Sequence, residues 1–430
     1  MGDWTTDSNE ALTLSLVRSK AERELLGKDE SYEDFHPTFT YPIYGDDEKI
    51  YGYKDLVIDL RFASGSLAQY LNVQYSEKLP SSSTVDDVEG TLAKVIPSGY
   101  YTDESEFEKR VEEDATAFKP CGELIYLYSR PAPGKGKGKN IATSKSNAED
   151  DVTFEVYHTN KTTWDTPGFR EYHRRMQLFI LLYIEAGSYI VEDEDSWEFV
   201  VLYERRKRPG SDVSTHHFVG YSSLYGFYHF PEKTRLRLSQ FVITPPYQKQ
   251  GHGSQLYKAI YQYVLSKPHI AELTVEDPAE AFEDLRDKND MEMLQNHEQF
   301  IREAYGTAQS TGGRVGGIGR AGKSGRGGAA QSKGKLGPPA DKAWVEEWRK
   351  DLKIAGRQFH RLVEMLILLR LDPHDAGALK AYRLQVKERL YRFNFEVLVQ
   401  LDKQERLEKL EETFQSVCDD YARILGLLRR

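Results

Sequence analysis

Apolar and polar positions follow two different periods along this chain, and the change between them divides it. Up to about residue 165 the apolar side chains come in short runs rich in β-branched and aromatic types: Leu56–Phe62, Tyr70–Tyr75, Leu124–Tyr128 and Val152–Tyr157. Such side chains pack well on a pleated surface, so these runs read as strands. Phe107 and Val111, four apart within Glu106–Glu113, mark one face of a helix. The middle third is denser. Phe169–Ile184 has helical composition and stops near Gly187, and Trp197–Glu204, Phe218–Ser223 and Leu236–Ile243 read as further strands. After a glycine-containing loop, Leu256, Ile260, Tyr263 and Val264 recur at i, i+4, i+7 and i+8, the apolar face of a helix, and Ala271–Val275 reads as one more strand.

From Asp284 onward the period is helical almost throughout. Trp344, Trp348, Leu352, Phe359, Leu362, Leu366 and Leu369 are separated by steps of three, four or seven, and Leu379–Leu428 continues with dense i, i+4 charge pairs. A small helical bundle is expected. Two segments have no period. Residues 306–340, rich in Gly, Lys and Arg, read as a disordered linker. The basic stretch at about 130–147, with Pro131-Ala-Pro-Gly-Lys-Gly-Lys-Gly-Lys139, reads as a mobile loop between two strands. The expected division is therefore 1–165 as mixed α/β, 166–290 as a second α/β domain and 291–430 as helical, an α/β (α+β) chain with a helical bundle at its end.

A length of 430 residues exceeds what one core usually holds, which agrees with several domains. Charged residues make up 29% and mean hydropathy is −0.63, values that describe a water-soluble chain rather than a bilayer protein. The longest apolar stretch, Leu178–Ile184, is far short of the roughly 20 residues a span needs, and the start Met1-Gly2-Asp3-Trp4 lacks the basic and apolar regions of a leader. Neither membrane contact nor secretion is expected. Cys121 and Cys418 alone make neither a disulfide framework nor a zinc site, so a reducing compartment, cytoplasm or nucleus, and no metal are expected.

The net charge of −10 conceals a segregation. All charges in 306–340 (six) and 130–147 (five) are cationic, and setting those eleven aside leaves about −21 on the rest. A body that acidic repels nucleic acid and attracts a basic ligand. Asp46-Asp47-Glu48 and Glu192-Asp193-Glu194-Asp195 are the densest acidic clusters, each equally readable as a solvated turn.

One segment carries chemistry. Leu236–Ser254 runs strand, tight turn, helix, with Gln248-Lys249-Gln250-Gly251-His252-Gly253 at the helix entry. Consecutive N–H groups at a helix start favour an anion, and glycines let a phosphate approach the main chain. A nucleotide-binding lysine motif is absent, as is the acidic ribose partner of a dinucleotide fold. The six residues match the Gln/Arg-x-x-Gly-x-Gly/Ala element of the GCN5-related N-acetyltransferase fold, in the setting that fold requires. Within that superfamily, Ser239–Gln255 and Thr274-Val-Glu-Asp-Pro278 resemble the catalytic subunits of type B histone acetyltransferases, as do Tyr44–Lys54, Gly65-Ser-Leu67, Phe169–His173 and Pro231–Arg235. The likeness covers roughly residues 35–290, so the middle domain is expected to bind acetyl-CoA.

The resemblance implies acetyl transfer from acetyl-CoA to lysine ε-amino groups in the tail of newly made histone H4, accompanied by H3, with a histone-binding WD-repeat β-propeller subunit as partner. A lysine amine, nearly all ammonium at pH 7, needs a base before it attacks a thioester. Glu276 is the candidate, because it ends an apolar strand where partial burial would raise its pKa; Asp277 is the alternate base or a second member of the proton path, and Glu185 a third carboxylate able to orient the lysine. The superfamily assigns Phe241, Val242 and Ile243 to the cofactor through main-chain groups, one of which could hold the thioester oxygen. Gln248, Lys249, Gln250, Gly251, His252, Gly253 and Ser254 would take the diphosphate, and Lys288 would lie near the adenosine end. His252 reads as a surface or helix-start residue that serves through its backbone. Asp46, Asp47 and Glu48, with Tyr225, Gly226 and Phe227, match family positions that grip the histone tail.

Two other readings stand beside this one: an acetyltransferase of protein N-termini or small amines, and a histone-carrying module in which the fold is only a scaffold. The inserts Gly134–Lys139 and Gly322–Gly327 resemble histone tails in composition and read either as pseudosubstrates or as plain linker.

Overall fold

The computed structural model describes residues 4–28, 30–80, 84–131, 151–164, 168–208, 212–306 and 334–428. The inserts at 134–139 and 322–327 lie outside these. The chain divides into two compact units: residues 1–230 with 236–263, and residues 231–235 with 264–430.

The first unit begins with a three-stranded sheet of β1 (Leu12–Val17), β2 (Val57–Ala63) and β3 (Gln69–Gln74). β1 and β2 are parallel, with Leu12 opposite Ile58, and β2 and β3 antiparallel, with Phe62 opposite Gln69. Leu12, Leu14, Leu16, Ile58, Leu60 and Phe62 alternate onto one buried face. Helix α1 (Glu104–Ala117) is capped by Asp103, whose carboxylate accepts the Glu106 N–H at 2.9 Å, and packs Phe107 and Val111 against Ala63 and Tyr70. It extends the expected 106–113 at both ends.

Next come β4 (Glu123–Pro131), β5 (Asp151–Thr159), β6 (Trp197–Lys207), β7 (Ser214–His229) and β8 (Lys233–Ile243), neighbours in chain order. β4/β5, β5/β6 and β6/β7 are antiparallel. β5 pairs with β6 from Phe199↔Thr159 to Arg205↔Thr153. A division at residue 165 would cut this sheet, and the strands on either side of it belong to one unit. Between β5 and β6 lie α2 (Phe169–Met176) and α3 (Leu178–Tyr183). The single helix expected over 169–184 tightens at Gln177, whose carbonyl accepts the Ile180 N–H at 3.0 Å. Leu178 to Leu182 are all buried, as a helix that is apolar all round must be. Helix α4 (His252–Ser266) buries Leu256, Ile260, Tyr263 and Val264.

The second unit holds β9 (Ile270–Val275), α5 (Glu280–Asn296), α6 (Glu298–Tyr305), α7 (Lys342–Asp351), α8 (Gly356–Arg370), α9 (Ala376–Phe393) and α10 (Lys403–Leu427). Its aromatic centre is Phe300, with ring centroids 5.1 Å from Trp344 and 5.3 Å from Trp348. Glu303 accepts both indole N–H groups, at 2.8 and 3.0 Å. The segment 306–340 is not linker to its end: Leu336 is buried, and the Lys335 and Leu336 N–H groups donate to the Glu303 and Ala304 carbonyls at 3.0 Å. One buried leucine and two main-chain bonds outweigh the glycine-rich composition there. Among the described residues no helix is long and apolar enough to cross a membrane.

Candidate functional site

The turn after β8 is shaped by an irregularity one strand away. Leu202 faces Gly220 and Tyr203 faces Phe218, so Val219 is an extra residue in β7, and such a bulge turns its main chain out of the ladder. The Val219 carbonyl accepts the Thr244 N–H and hydroxyl, both at 2.9 Å, where β8 ends. A Cβ on Gly220 would lie 2.2 Å from the Val242 carbonyl oxygen, so only glycine allows that approach. Pro245–Tyr247 then form one 3-10 turn, and α4 starts at His252.

Gln248, Lys249, Gln250 and Gly251 between them are exposed. The two glutamine side chains turn back on their own loop: Nε2 of Gln248 donates to the Ile243 carbonyl and that of Gln250 to the Pro246 carbonyl, both at 2.8 Å. With both glutamines folded back, the loop presents main chain and the Lys249 side chain ahead of the α4 helix start, where the helix dipole favours an anion. Gly251 has φ +79°, and a Cβ there would sit 3.1 Å from the Arg130 guanidinium. Lys249, at φ +59°, and Arg130 bring positive charge to this turn. This suits the diphosphate expected of the motif: an exposed turn at a helix start, a glycine where a side chain would crowd, and two cations.

His252 lies at the helix start but is buried, not at the surface. Its Nδ1 meets the Tyr128 hydroxyl at 2.6 Å and its ring lies 4.4 Å from Phe154. Burial, helped by the Arg130 charge, pushes its pKa down to about 4, so the imidazole is neutral near pH 7. Of the strand residues expected near the cofactor, Val242 and Ile243 are buried and Phe241 half-buried. Gly253 and Ser254, in the first turn of α4, are half-buried.

In the second unit, Glu276 and Asp277 follow β9 directly, before Pro278, and Asp277 has φ +33°. Both are exposed. The partial burial expected at Glu276 is not found, because the strand ends one residue earlier and the turn lifts the side chain into solvent. What is buried is Glu272, four residues back: Arg235 Nε donates to it at 2.6 Å and Arg349 Nη1 at 2.8 Å. The Leu273 N–H donates to the Lys353 carbonyl at 2.9 Å, which pins the middle of the strand. Lys288 projects exposed from α5.

The remaining candidates belong to the first unit. Glu185 is exposed after α3. Asp46 and Asp47 are exposed, whereas Glu48 is already engaged: its carboxylate accepts the Thr40 N–H at 2.8 Å, the Tyr41 N–H at 3.1 Å and the Asn9 amide at 2.8 Å. Glu48 organises the turn that presents the two aspartates. Tyr225 lies 4.8 Å from Trp197 and 4.7 Å from Phe227, whose ring carries the Arg237 guanidinium at 4.4 Å. The Gly226 N–H donates to the Ser196 carbonyl at 3.1 Å. Arg130 and Tyr247 were missed by sequence reasoning. Tyr247 directly precedes Gln248 in the strand–turn–helix segment, but nothing in the sequence says what its hydroxyl meets. Among the described residues no group of His, Cys, Asp or Glu is arranged to hold a metal ion.

Comparison with known proteins adds to this geometry. Residues 4–185 match the model of the histone acetyl transferase HAT1 N-terminus, 162–282 the acetyltransferase (GNAT) family, and 329–372 the fungal HAT1 C-terminal model. The chain is 51% identical to the histone acetyltransferase type B catalytic subunit of Cryptococcus neoformans, over 99% of this chain and 98% of that one. Identity to the subunit of the same description is 42% in Mycosarcoma maydis (99% and 88% covered) and 30% in Homo sapiens (100% and 94%). A solved aminoglycoside acetyltransferase shares 14% identity over 40% of this chain and 97% of its own at a TM-score of 0.21, too distant to argue from.

Proposed function

We propose, on the premise that the chain belongs to the family of histone acetyltransferase type B catalytic subunits, that it acetylates lysine ε-amino groups in the tail of newly made, free histone H4. Membership makes it an acyltransferase, and the acetyltransferase fold supports acetyl-CoA as cosubstrate. The observation that carries the reading of acetyl-CoA as donor is the exposed turn Gln248–Gly251 at the head of a 15-residue helix, which suits a diphosphate.

Acetyl-CoA supplies the activated acyl carbon and a thiolate leaving group. Phe241, Val242 and Ile243 offer main-chain groups at the end of β8, where an N–H can hold the carbonyl oxygen as negative charge grows on it. Lys288 is assigned to the adenosine end. Glu276 removes one proton from the lysine ammonium, the freed nitrogen pair forms the C–N bond as the C–S bond breaks, and the second proton that the nitrogen sheds to become an amide goes to the departing thiolate. Exposure suits Glu276 to meet an incoming ammonium directly; Asp277 passes the proton on, and Glu185 helps orient the lysine. Covalent acetyl-cysteine chemistry has no support, since burial pushes the Cys121 thiol up and the Cys418 thiol to about 11. Asp46 and Asp47 attract the basic tail, and the Tyr225–Gly226–Phe227 turn gives it aromatic surface. We further propose H3 as companion of the substrate, a WD-repeat β-propeller subunit as partner, and work in cytoplasm and nucleus.

Incubating the full chain with acetyl-CoA and an H4-tail peptide tests this by mass spectrometry. Label on an internal lysine is expected. Label confined to the α-amine would turn the reading to N-terminal acetylation, and tight binding without label to a histone carrier.

A further inference from the structure

We propose that Tyr247 is a positioning residue for the diphosphate-binding turn, held by a buried ion pair of Arg18 and Glu204. The inference rests on the reading that Gln248–Gly253 receives the diphosphate of acetyl-CoA, and it concerns what keeps those amides aimed.

Tyr247 ends the 3-10 turn and immediately precedes Gln248, yet it is 2% exposed while the next four residues are all exposed. Its hydroxyl donates to Glu204 Oε2 at 2.6 Å and accepts from Arg18 Nη2 at 2.8 Å. Arg18 in turn grips Glu204 with both terminal nitrogens, at 3.3 and 2.8 Å, with each side chain 1% exposed. The Arg18 guanidinium lies 3.8 Å from the centre of the Tyr32 ring, which is 5.1 Å from the Tyr247 ring. Glu204 is also bonded by Arg206, which reaches on to Glu30. On its other side the Tyr247 ring meets His252 edge-on at 5.8 Å, so one side chain touches both the anchor and the first residue of α4.

The fully buried Arg18–Glu204 pair is a costly device to place in a core, and burying charge for stability alone usually gains little over apolar packing. Specifying one position is the use such a group serves best. Here the three members come from Arg18 just after β1, Glu204 in β6 and the turn itself, which are 186 and 43 residues apart along the chain. The turn it fixes has Lys249 at positive φ, a conformation that costs a side-chain-bearing residue energy unless the ends of the turn are held. A fixed diphosphate site needs fixed amides, because small misplacement of a binding group costs affinity steeply.

The Tyr247→Phe variant removes only the hydroxyl, and the full chain is used. Calorimetry with CoA should show a Kd raised by ~10-fold, as expected when a charge-assisted buried bond is lost. In turnover, KM for acetyl-CoA should rise in step while kcat at saturation stays within about twofold. Turnover of acetyl-pantetheine, which has no diphosphate, should keep its KM. That pattern supports positioning of this turn in particular. An unchanged Kd in the variant while wild type binds CoA overturns the inference alone, as does an equal loss with both donors, which is the mark of general loosening. Wild type that ignores CoA overturns the diphosphate reading and this inference with it.

Discussion

The turn after Ile243 and the turn after Val275 both leave a strand and lead into a helix, yet they offer opposite things to a ligand. The first offers main chain: its glutamines fold back on their own loop carbonyls, and Gly251 leaves the backbone bare. The second offers side chains, Glu276 and Asp277, both exposed. Their anchors differ in the same way. Tyr247 is tied to the Arg18–Glu204 pair, 1% exposed on both sides, while Glu272 is held by Arg235 and Arg349, whose side chains are 46% and 16% exposed. An anion receptor built from amides must be rigid, because amides cannot reorient singly. A proton acceptor must be reachable, and a carboxylate adjusts by rotating its own side chain.

The largest effect expected from this contrast is on stability. Glu204→Ala leaves the buried Arg18 guanidinium without its carboxylate and should cost about 3–5 kcal/mol, whereas Glu272→Ala, whose partners Arg235 and Arg349 both reach water, should cost about 1 kcal/mol. Urea unfolding of the two variants measures the difference, and equal costs would break the comparison.

Next is turnover. On the proposal that Glu276 is the base, Glu276→Gln should lower kcat on an H4-tail peptide by about 10²–10³-fold with CoA affinity unchanged. Full turnover at pH 7 would remove Glu276 as the base.

A third test uses acid. Burial holds the His173 and His252 imidazoles neutral, at about 3 and about 4 against an ordinary 6.5, with neighbouring arginines adding to the shift. Both folded values are depressed, so unfolded histidine binds the proton first. Stability from these residues is complete above pH 6.5 and is lost as pH falls from there toward 4 and 3. For His173, with neither ring nitrogen hydrogen-bonded among the described residues, the loss should reach about 3 kcal/mol by pH 4. His173→Phe should flatten that part of a stability-against-pH curve. Glu22, which His217 and Thr215 hold at about 2 despite burial, adds a further loss between pH 4.5 and 2.

The smallest effect is local. Gly251→Ala places a Cβ at φ +79° beside Arg130, and should weaken CoA about tenfold without changing the Glu276-dependent step. Equal damage to KM and kcat would show that the two turns do not divide the work as described.

Much of this was legible in the chain. Short β-branched runs gave most strands of both sheets, and the i, i+4 spacing of Leu256 and Ile260 gave α4 its buried face. The strand Leu12–Val17 was not read, although Leu-Thr-Leu-Ser-Leu alternates as a half-buried strand should; its run is short and sits among charged residues. With it went Arg18, since a lone arginine near the start of a chain carries no sign of burial. Glu48 was grouped with Asp46 and Asp47 by adjacency, but a positive φ at Glu48 turns its carboxylate inward to Thr40, Tyr41 and Asn9.

What the sequence alone determined is what local rules govern: the periods of strands and helices, the glycine-bearing entry to α4, the acidic balance and the family signature. Each depends on residues within one or two turns of one another. Only tertiary structure decided which charges are buried, that Tyr247 meets an arginine 229 residues away, that Glu276 stands in water while Glu272 does not, and that Leu336 packs at the end of a glycine-rich segment. Burial and long-range pairing depend on where distant segments come to lie, and electrostatic energy depends on the dielectric surroundings found there, which no local pattern contains.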